Sequence, residues 1–229
     1  MALLRGLARL ALDALFPVSC LGCGCEGELL CPSCLQAAPR AAPPRCPVCW
    51  QRWTGDGSCR QCVRQRPSYE AVRSAFAYQG AVREAVHALK FRGISALAPI
   101  LAAPMARLLA AWAPPVEALV PVPLPWLRER YRGYDQALLL AREVGHSLGL
   151  PVLTDAVRRT WTRPQASLAG DARRQNVGSA FRPRRRLDGL RLALVDDVAT
   201  TGATLDACAR ALRQAGAAGV WAITLAREG

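Results

Sequence analysis

Four Cys-x-x-Cys pairs crowd the first 66 residues: Cys20/Cys23, Cys31/Cys34, Cys46/Cys49 and Cys59/Cys62. Each pair can present two thiolates to one tetrahedral cation, and two pairs complete a four-thiolate zinc site. The chain is therefore expected to carry two structural Zn²⁺ ions in an N-terminal module. Metal is needed there because so few large apolar residues lie between the cysteines. Pairing first with second and third with fourth closes the shorter loops and is the arrangement expected. Cys25 could substitute for Cys23, and Cys208, on an expected helix far downstream, reads as a buried structural thiol. Neither is assigned to metal.

A disulfide framework is the competing reading of these cysteines, and it requires an oxidising compartment. Residues 3–16 place Arg9 and Asp13 inside an apolar stretch and lack a small-x-small cleavage pattern. They read as an amphipathic helix rather than a secretory leader. No run approaches the roughly 20 apolar residues of a membrane span. The expectation is a cytoplasmic, zinc-holding protein.

The second strong feature is residues 191–205, where the apolar run Leu192–Val195 ends in Asp196 and Asp197 and is followed by Ala199, Thr200, Thr201, Gly202, Ala203 and Thr204. Such a run suits a parallel strand covered on both faces, with the acids just past its end in the crevice where open α/β sheets bind ligands. Adjacent carboxylates there can accept hydrogen bonds from ribose hydroxyls or help hold a divalent cation. The hydroxyls and backbone N–H groups that follow, at a helix N-terminus, form an anion site, and Gly202 lets the chain turn tightly against the anion. The parts together specify a ribose 5-phosphate site. The competing reading is an ordinary strand, turn and helix whose acids cap the helix.

The segment resembles the 5-phosphoribosyl-1-pyrophosphate (PRPP) signature of type I phosphoribosyltransferases. The rest of the chain alternates as such an α/β fold should. Strands are expected over Val72–Tyr78, Leu119–Val122, near Val152, Arg191–Val195 and Val220–Leu225; helices over Gly80–Lys90, Ala96–Trp112, Asp135–Leu148 and Thr204–Ala215. Arg64–Ser68 marks the expected boundary between a zinc module at 1–66 and a phosphoribosyltransferase domain at 67–229. The fold class is then α/β, a parallel sheet flanked by helices, preceded by a Cys-rich zinc-ribbon module.

The resemblance widens when the motifs are read in order. Zinc knuckles, His87–Gly93, Val120–Pro123, Arg132-Gly133-Tyr134-Asp135-Gln136, Gln165 with Asn176-Val177 and Phe181, and the PRPP signature are together similar to the ComF family of competence-associated phosphoribosyltransferase-like proteins. That likeness implies Mg²⁺ with PRPP, Asp196 and Asp197 on the ribose, residues 199–204 on its 5-phosphate, and Val122, Pro123 and Leu124 on pyrophosphate. It also implies a link to DNA uptake, with single-stranded DNA and competence-machinery proteins as possible partners. The family usually has asparagine where Asp135 stands, so a neutral amide contact is in doubt there. Arg132 opens the Arg-Gly motif and, with Lys90, is a candidate to neutralise phosphate oxygens. Lys90 is the chain's single lysine among 30 basic residues, which suggests a point charge on phosphate, although an exposed lysine needs no role. Arg128 and Arg130 fit either phosphate or a solvated face. His87 and His146 read as structural or surface histidines. Tyr78, Phe91, Tyr131 and Tyr134 could stack on a base, but core filling is the expectation.

Charge adds a further candidate. Residues 158–186 hold nine arginines against Asp171 alone, net +8 of the chain's +13. Such a block reads as a loop with extended flanks, and in type I phosphoribosyltransferases the corresponding segment closes over the active site. Arg184, Arg185 and Arg186 are equally candidates for nucleic-acid phosphates. Two functions therefore compete: a PRPP-using enzyme of unknown acceptor, and a non-catalytic accessory that binds single-stranded DNA and keeps a PRPP-sensing pocket.

Overall fold

The computed structural model describes residues 18–125, 130–160 and 180–229. The helix expected over 3–16, Arg128, and Gln165 with Asn176-Val177 lie outside them. Two short helices, α1 (Pro32–Ala37) and α2 (Arg60–Arg64), start directly after Cys31 and Cys59. Next come β1 (Val72–Ala77), α3 (Gly80–Phe91), α4 (Leu97–Trp112), β2 (Ala118–Pro121) and α5 (Gln136–Leu148). The chain ends with β3 (Val157–Arg159), β4 (Phe181–Pro183), β5 (Arg191–Ala199), α6 (Ala203–Gln214) and β6 (Gly219–Arg227).

A four-stranded sheet in the order β1-β6-β5-β2 is parallel throughout. The strand expected near Val152 is a single parallel bridge to Leu119. β5 and β6 sit centrally and are buried along most of their length, which explains their near-continuous apolar sequence. Leu192 and Leu194 face α6, whereas Ala193 and Val195 face α3, α4 and α5. The sheet is thus covered by helices on both sides.

One expectation needs correction here. The acids do not follow the strand: β5 continues past Val195, and pairing with β6 runs on through Val198↔Ala226 and Ala199↔Arg227. The longer strand holds Asp196 and Asp197 in the ladder, so their backbone is fixed by the sheet and not by a loop.

The Cys-rich segment is not a detached bead. The thiols of the second ribbon, Cys46, Cys49, Cys59 and Cys62, pack in the same core as α6, while Cys20 and Cys31 of the first join the core of α3, α4 and α5. Between them, residues 39–48 run along β1, with hydrogen bonds Ala77 N–H to Pro39 C=O (2.8 Å), Ala41 N–H to Ala75 C=O (3.2 Å) and Val72 N–H to Val48 C=O (2.8 Å). An edge that would otherwise offer unpaired backbone groups is covered by the module itself. β3 and β4 form an antiparallel pair flanking 161–179, matching the extended flanks expected of the arginine-rich block.

Candidate functional site

The two thiol clusters are separate. Cys46, Cys49, Cys59 and Cys62 bring four buried sulfurs within 4.8 Å of one another, a complete tetrahedral donor set for zinc. The Cys59 N–H donates to the Cys46 sulfur at 3.3 Å, the kind of backbone bond that stabilises a thiolate. In the first cluster the mutually close sulfurs are Cys20, Cys23, Cys25 and Cys31. Cys34 sits against them: its N–H donates to the Cys31 sulfur at 3.4 Å, and a Cβ on Gly22 would come within 2.6 Å of its own sulfur. The mutually close set thus holds Cys25 in place of the expected Cys34, with Cys34 beside it, and each cluster draws only on neighbouring knuckles. Burial places Cys208 among apolar side chains and pushes its thiol up, as expected of a structural cysteine.

The acid pair divides its work. Asp197 is 3 % exposed, and one of its oxygens, Oδ1, meets the Lys90 ammonium at 2.7 Å while Oδ2 has no hydrogen-bond partner among the described residues. α3 brings Lys90 there because Val82, Ala85, Val86 and Leu89 anchor the helix on the sheet and leave its last turn over the end of β5. Half-buried Asp196 accepts from the Asp197 N–H at 2.9 Å. Burial first, and then the Asp197 charge, push its carboxyl up to about 8.

Beyond Ala199 the chain turns at Gly202, whose φ of 80° is the left-handed conformation that favours glycine, and enters α6. Gly202 is the N-cap of α6 and offers no capping side chain; the Ala203 N–H donates to the Thr201 hydroxyl at 3.4 Å, and the N–H groups of the rest of the first turn face the helix N-terminus. On the far side of β5, Val122 donates its N–H to the Val195 carbonyl at 3.0 Å, which continues the sheet into the Val122–Leu124 turn. Asp135 fixes that turn. Its Oδ2 accepts from the Leu124 N–H at 3.3 Å, and its Oδ1 caps α5 through the Leu138 N–H at 3.1 Å. The two bonds use both carboxylate oxygens as acceptors, so an asparagine, with one side-chain oxygen and a donor NH₂, would keep only one of them in this geometry. Arg132 donates to Gln136 at 2.8 Å and lies 5.0 Å from the Phe91 ring centroid.

A double zinc ribbon domain matches residues 11–63. Competence protein F of Haemophilus influenzae is 40 % identical over 115 residues, covering 48 % of this chain and 50 % of that protein. DNA utilization protein YhgH of Salmonella typhi is 32 % identical over 211 residues, 86 % of this chain and 90 % of that one. The chain belongs to the ComF family. Among solved structures, a purine phosphoribosyltransferase of Pyrococcus horikoshii aligns over 60 % of this chain and 75 % of its own, at 16 % identity and a TM-score of 0.37.

As a ComF protein the chain shows features that its motifs do not announce. Phe91 and Tyr131, expected in the core, are 61 % and 87 % exposed. Phe91 ends α3 beyond its buried stripe, so helical position overrides hydrophobicity. Tyr134 does pack inward, and its hydroxyl donates to the Leu89 carbonyl. Arg73, which no motif singled out, has its guanidinium 4.1 Å from the Trp50 ring and 4.7 Å from the Trp112 ring, joining the second ribbon to α4. Of the candidate nucleic-acid arginines, Arg185 pairs with Asp155 at 3.3 Å and Arg186 with Asp188 at 2.7 Å, both exposed. Among the described residues no helix is long and apolar enough to cross a membrane.

Proposed function

We propose that this ComF protein binds Mg²⁺-complexed PRPP at the carboxyl edge of β5 and acts as a competence-associated phosphoribosyltransferase. The supporting observation is the meeting of three parts at one strand end: the Asp196-Asp197 pair, the Gly202 turn opening α6, and the Val122–Leu124 turn held by Asp135. A polyanionic ligand would be repelled by two bare carboxylates. Here Lys90 neutralises Asp197, and burial together with the Asp197 charge pushes the Asp196 carboxyl up, toward its protonated form. The pair thus presents little net charge while still offering oxygens to the ribose hydroxyls.

On this reading the N–H groups at the start of α6 take the 5-phosphate, and the Val122–Leu124 backbone takes the pyrophosphate. Pyrophosphate would leave C1 with its bonding electron pair and an incoming nucleophile would be captured at the cationic sugar, with Mg²⁺, when bound with the substrate, supplying charge stabilisation of the leaving group. No side chain need serve as a covalent nucleophile.

Calorimetric titration with Mg²⁺-PRPP tests the proposal. Binding by the wild type and its loss in Asp196→Asn/Asp197→Asn is the expected result. Absence of binding by the zinc-loaded wild type would leave the alternative, an accessory that holds single-stranded DNA through Arg184, Arg185 and Arg186.

A further inference from the structure

Arg227 ends β6 at a place where a charged side chain needs a reason. It is 2 % exposed, and its Nε and Nη1 have no hydrogen-bond partner among the described residues. A buried guanidinium with unmet donors is costly and calls for an acceptor, such as an ordered water, an ion or a ligand oxygen.

Its position says what that acceptor is near. Arg227 is in register with Ala199, and the Glu228 N–H donates to the Ala199 carbonyl at 3.0 Å, so the side chain stands beside the first residue of the 199–204 turn. Tyr69 is there too. It is 3 % exposed, and its hydroxyl lies so near Gly202 that a Cβ on that glycine would come within 3.0 Å of it. Burial, and after it the neighbouring Cys49 and Cys62 sulfurs, push the Tyr69 hydroxyl up, and the Arg227 charge is near enough to oppose that in part. It acts as well on Arg45, whose guanidinium is disfavoured first by burial and then by the charges of Arg227 and Arg52. The neighbourhood therefore combines a buried guanidinium with two unmet donors, a phenolic hydroxyl, and the N-terminus of α6. Backbone keeps the parts together: the Ser68 N–H donates to Asp206 Oδ1 at 2.6 Å, pinning the residue before Tyr69 to the first turn of α6.

We propose that Arg227 and Tyr69 form an oxyanion subsite with the 199–204 turn, and that its ligand is a phosphate monoester. The guanidinium donates to two phosphate oxygens and the Tyr69 hydroxyl to a third, while the helix N-terminus completes the cradle. This rests on the reading of the site given above and deepens it: the residue that grips the 5-phosphate comes from the closing strand, and the linker after the second ribbon supplies its companion. Sequence order hides the pair, because 158 positions separate Tyr69 from Arg227.

The test is calorimetry with three probes, inorganic phosphate, ribose 5-phosphate and Mg²⁺-PRPP, on the zinc-loaded wild type and on Arg227→Gln, Arg227→Lys and Tyr69→Phe. Folding is checked by circular dichroism and by zinc content. Arg227→Gln is expected to weaken every phosphate probe tenfold or more, Arg227→Lys less, and Tyr69→Phe severalfold. If Arg227→Gln does not fold, the lysine and phenylalanine variants decide. Mg²⁺-PRPP binding that needs Asp196 and Asp197 but is unchanged in the Arg227 and Tyr69 variants overturns the subsite and leaves the proposed function standing. Arg227-dependent binding of phosphate or ribose 5-phosphate without Mg²⁺-PRPP binding overturns the function and keeps the subsite; phosphate alone would make the free ion the ligand. No binding of any probe overturns both.

Discussion

Asp197 and Lys90 depend on each other. With the carboxylate nearly inaccessible and one oxygen lacking a partner, the ammonium at 2.7 Å is its main compensation. Removing one member of such a pair is far worse than removing both, because the survivor stays buried and charged. Lys90→Met is expected to lower unfolding free energy by about 3–5 kcal/mol, and Lys90→Met/Asp197→Asn to recover most of that loss. Urea unfolding of the two variants checks it; equal stability of both would show the pair to be solvated. Asp196 makes a second, pH-dependent prediction. Its pKa is raised, so the folded state prefers the protonated acid: its stabilising contribution is full below the ordinary carboxyl range and is lost as pH rises through about 8. Wild-type stability should therefore fall relative to Asp196→Asn between pH 6 and 8, with a slope no steeper than about 1.4 kcal/mol per pH unit, the limit for one group. Parallel pH profiles for the two proteins would contradict the raised carboxyl.

At the scale of elements, the second ribbon is held to the sheet by more than apolar contact. Trp50 adopts a φ of 61°, an uncommon conformation for a non-glycine residue, and its ring lies against Arg73, which also meets Trp112 at the end of α4. The same guanidinium donates to the Pro47 and Val72 carbonyls at 2.9 and 2.8 Å. Arg73→Leu keeps an apolar stem but loses the cation and its donors, and should cost about 1–3 kcal/mol of stability. Urea unfolding measures that cost, and retention of both zinc ions would show that the thiol clusters themselves are intact. None of this is visible in the sequence, where Arg73 looks like a polar residue on a strand. What is legible there is whatever repeats locally: the cysteine spacing, the helical stripe of Val82, Ala85, Val86 and Leu89, and the apolar run of β5. The end of β5 was not, because pairing with β6 carries the strand through two acids that propensity would place in a turn. Lys90 on Asp197, Asp135 on Leu124 and Tyr69 on Gly202 are contacts between distant segments, and no local pattern encodes them.

Across the whole molecule the charge is uneven, and the ion pairs in the basic segment alter what it can do. Arg184, Arg185 and Arg186 are all exposed, but Asp155 and Asp188 already engage two of them. Exposed pairs of this kind are worth little, so a polyanion can exchange with the carboxylates at small cost. The patch lies beyond β4, on a segment packed beside α6, whereas the candidate phosphate turn is reached through the carboxyl edge of β5. If single-stranded DNA is a ligand, the two activities should therefore separate. Replacing all three arginines by alanine removes three phosphate contacts, and at about 0.7 per single-strand contact the slope of log affinity against log salt should become shallower by about 2. Mg²⁺-PRPP binding should be unchanged in that variant, just as DNA retention should survive Asp196→Asn/Asp197→Asn. Filter binding across a salt series, with calorimetry on the same preparations, reads both. A variant that loses PRPP binding together with its salt slope would mean that the basic segment and the strand end form one site, with the nucleic acid and the sugar phosphate competing for the same cations.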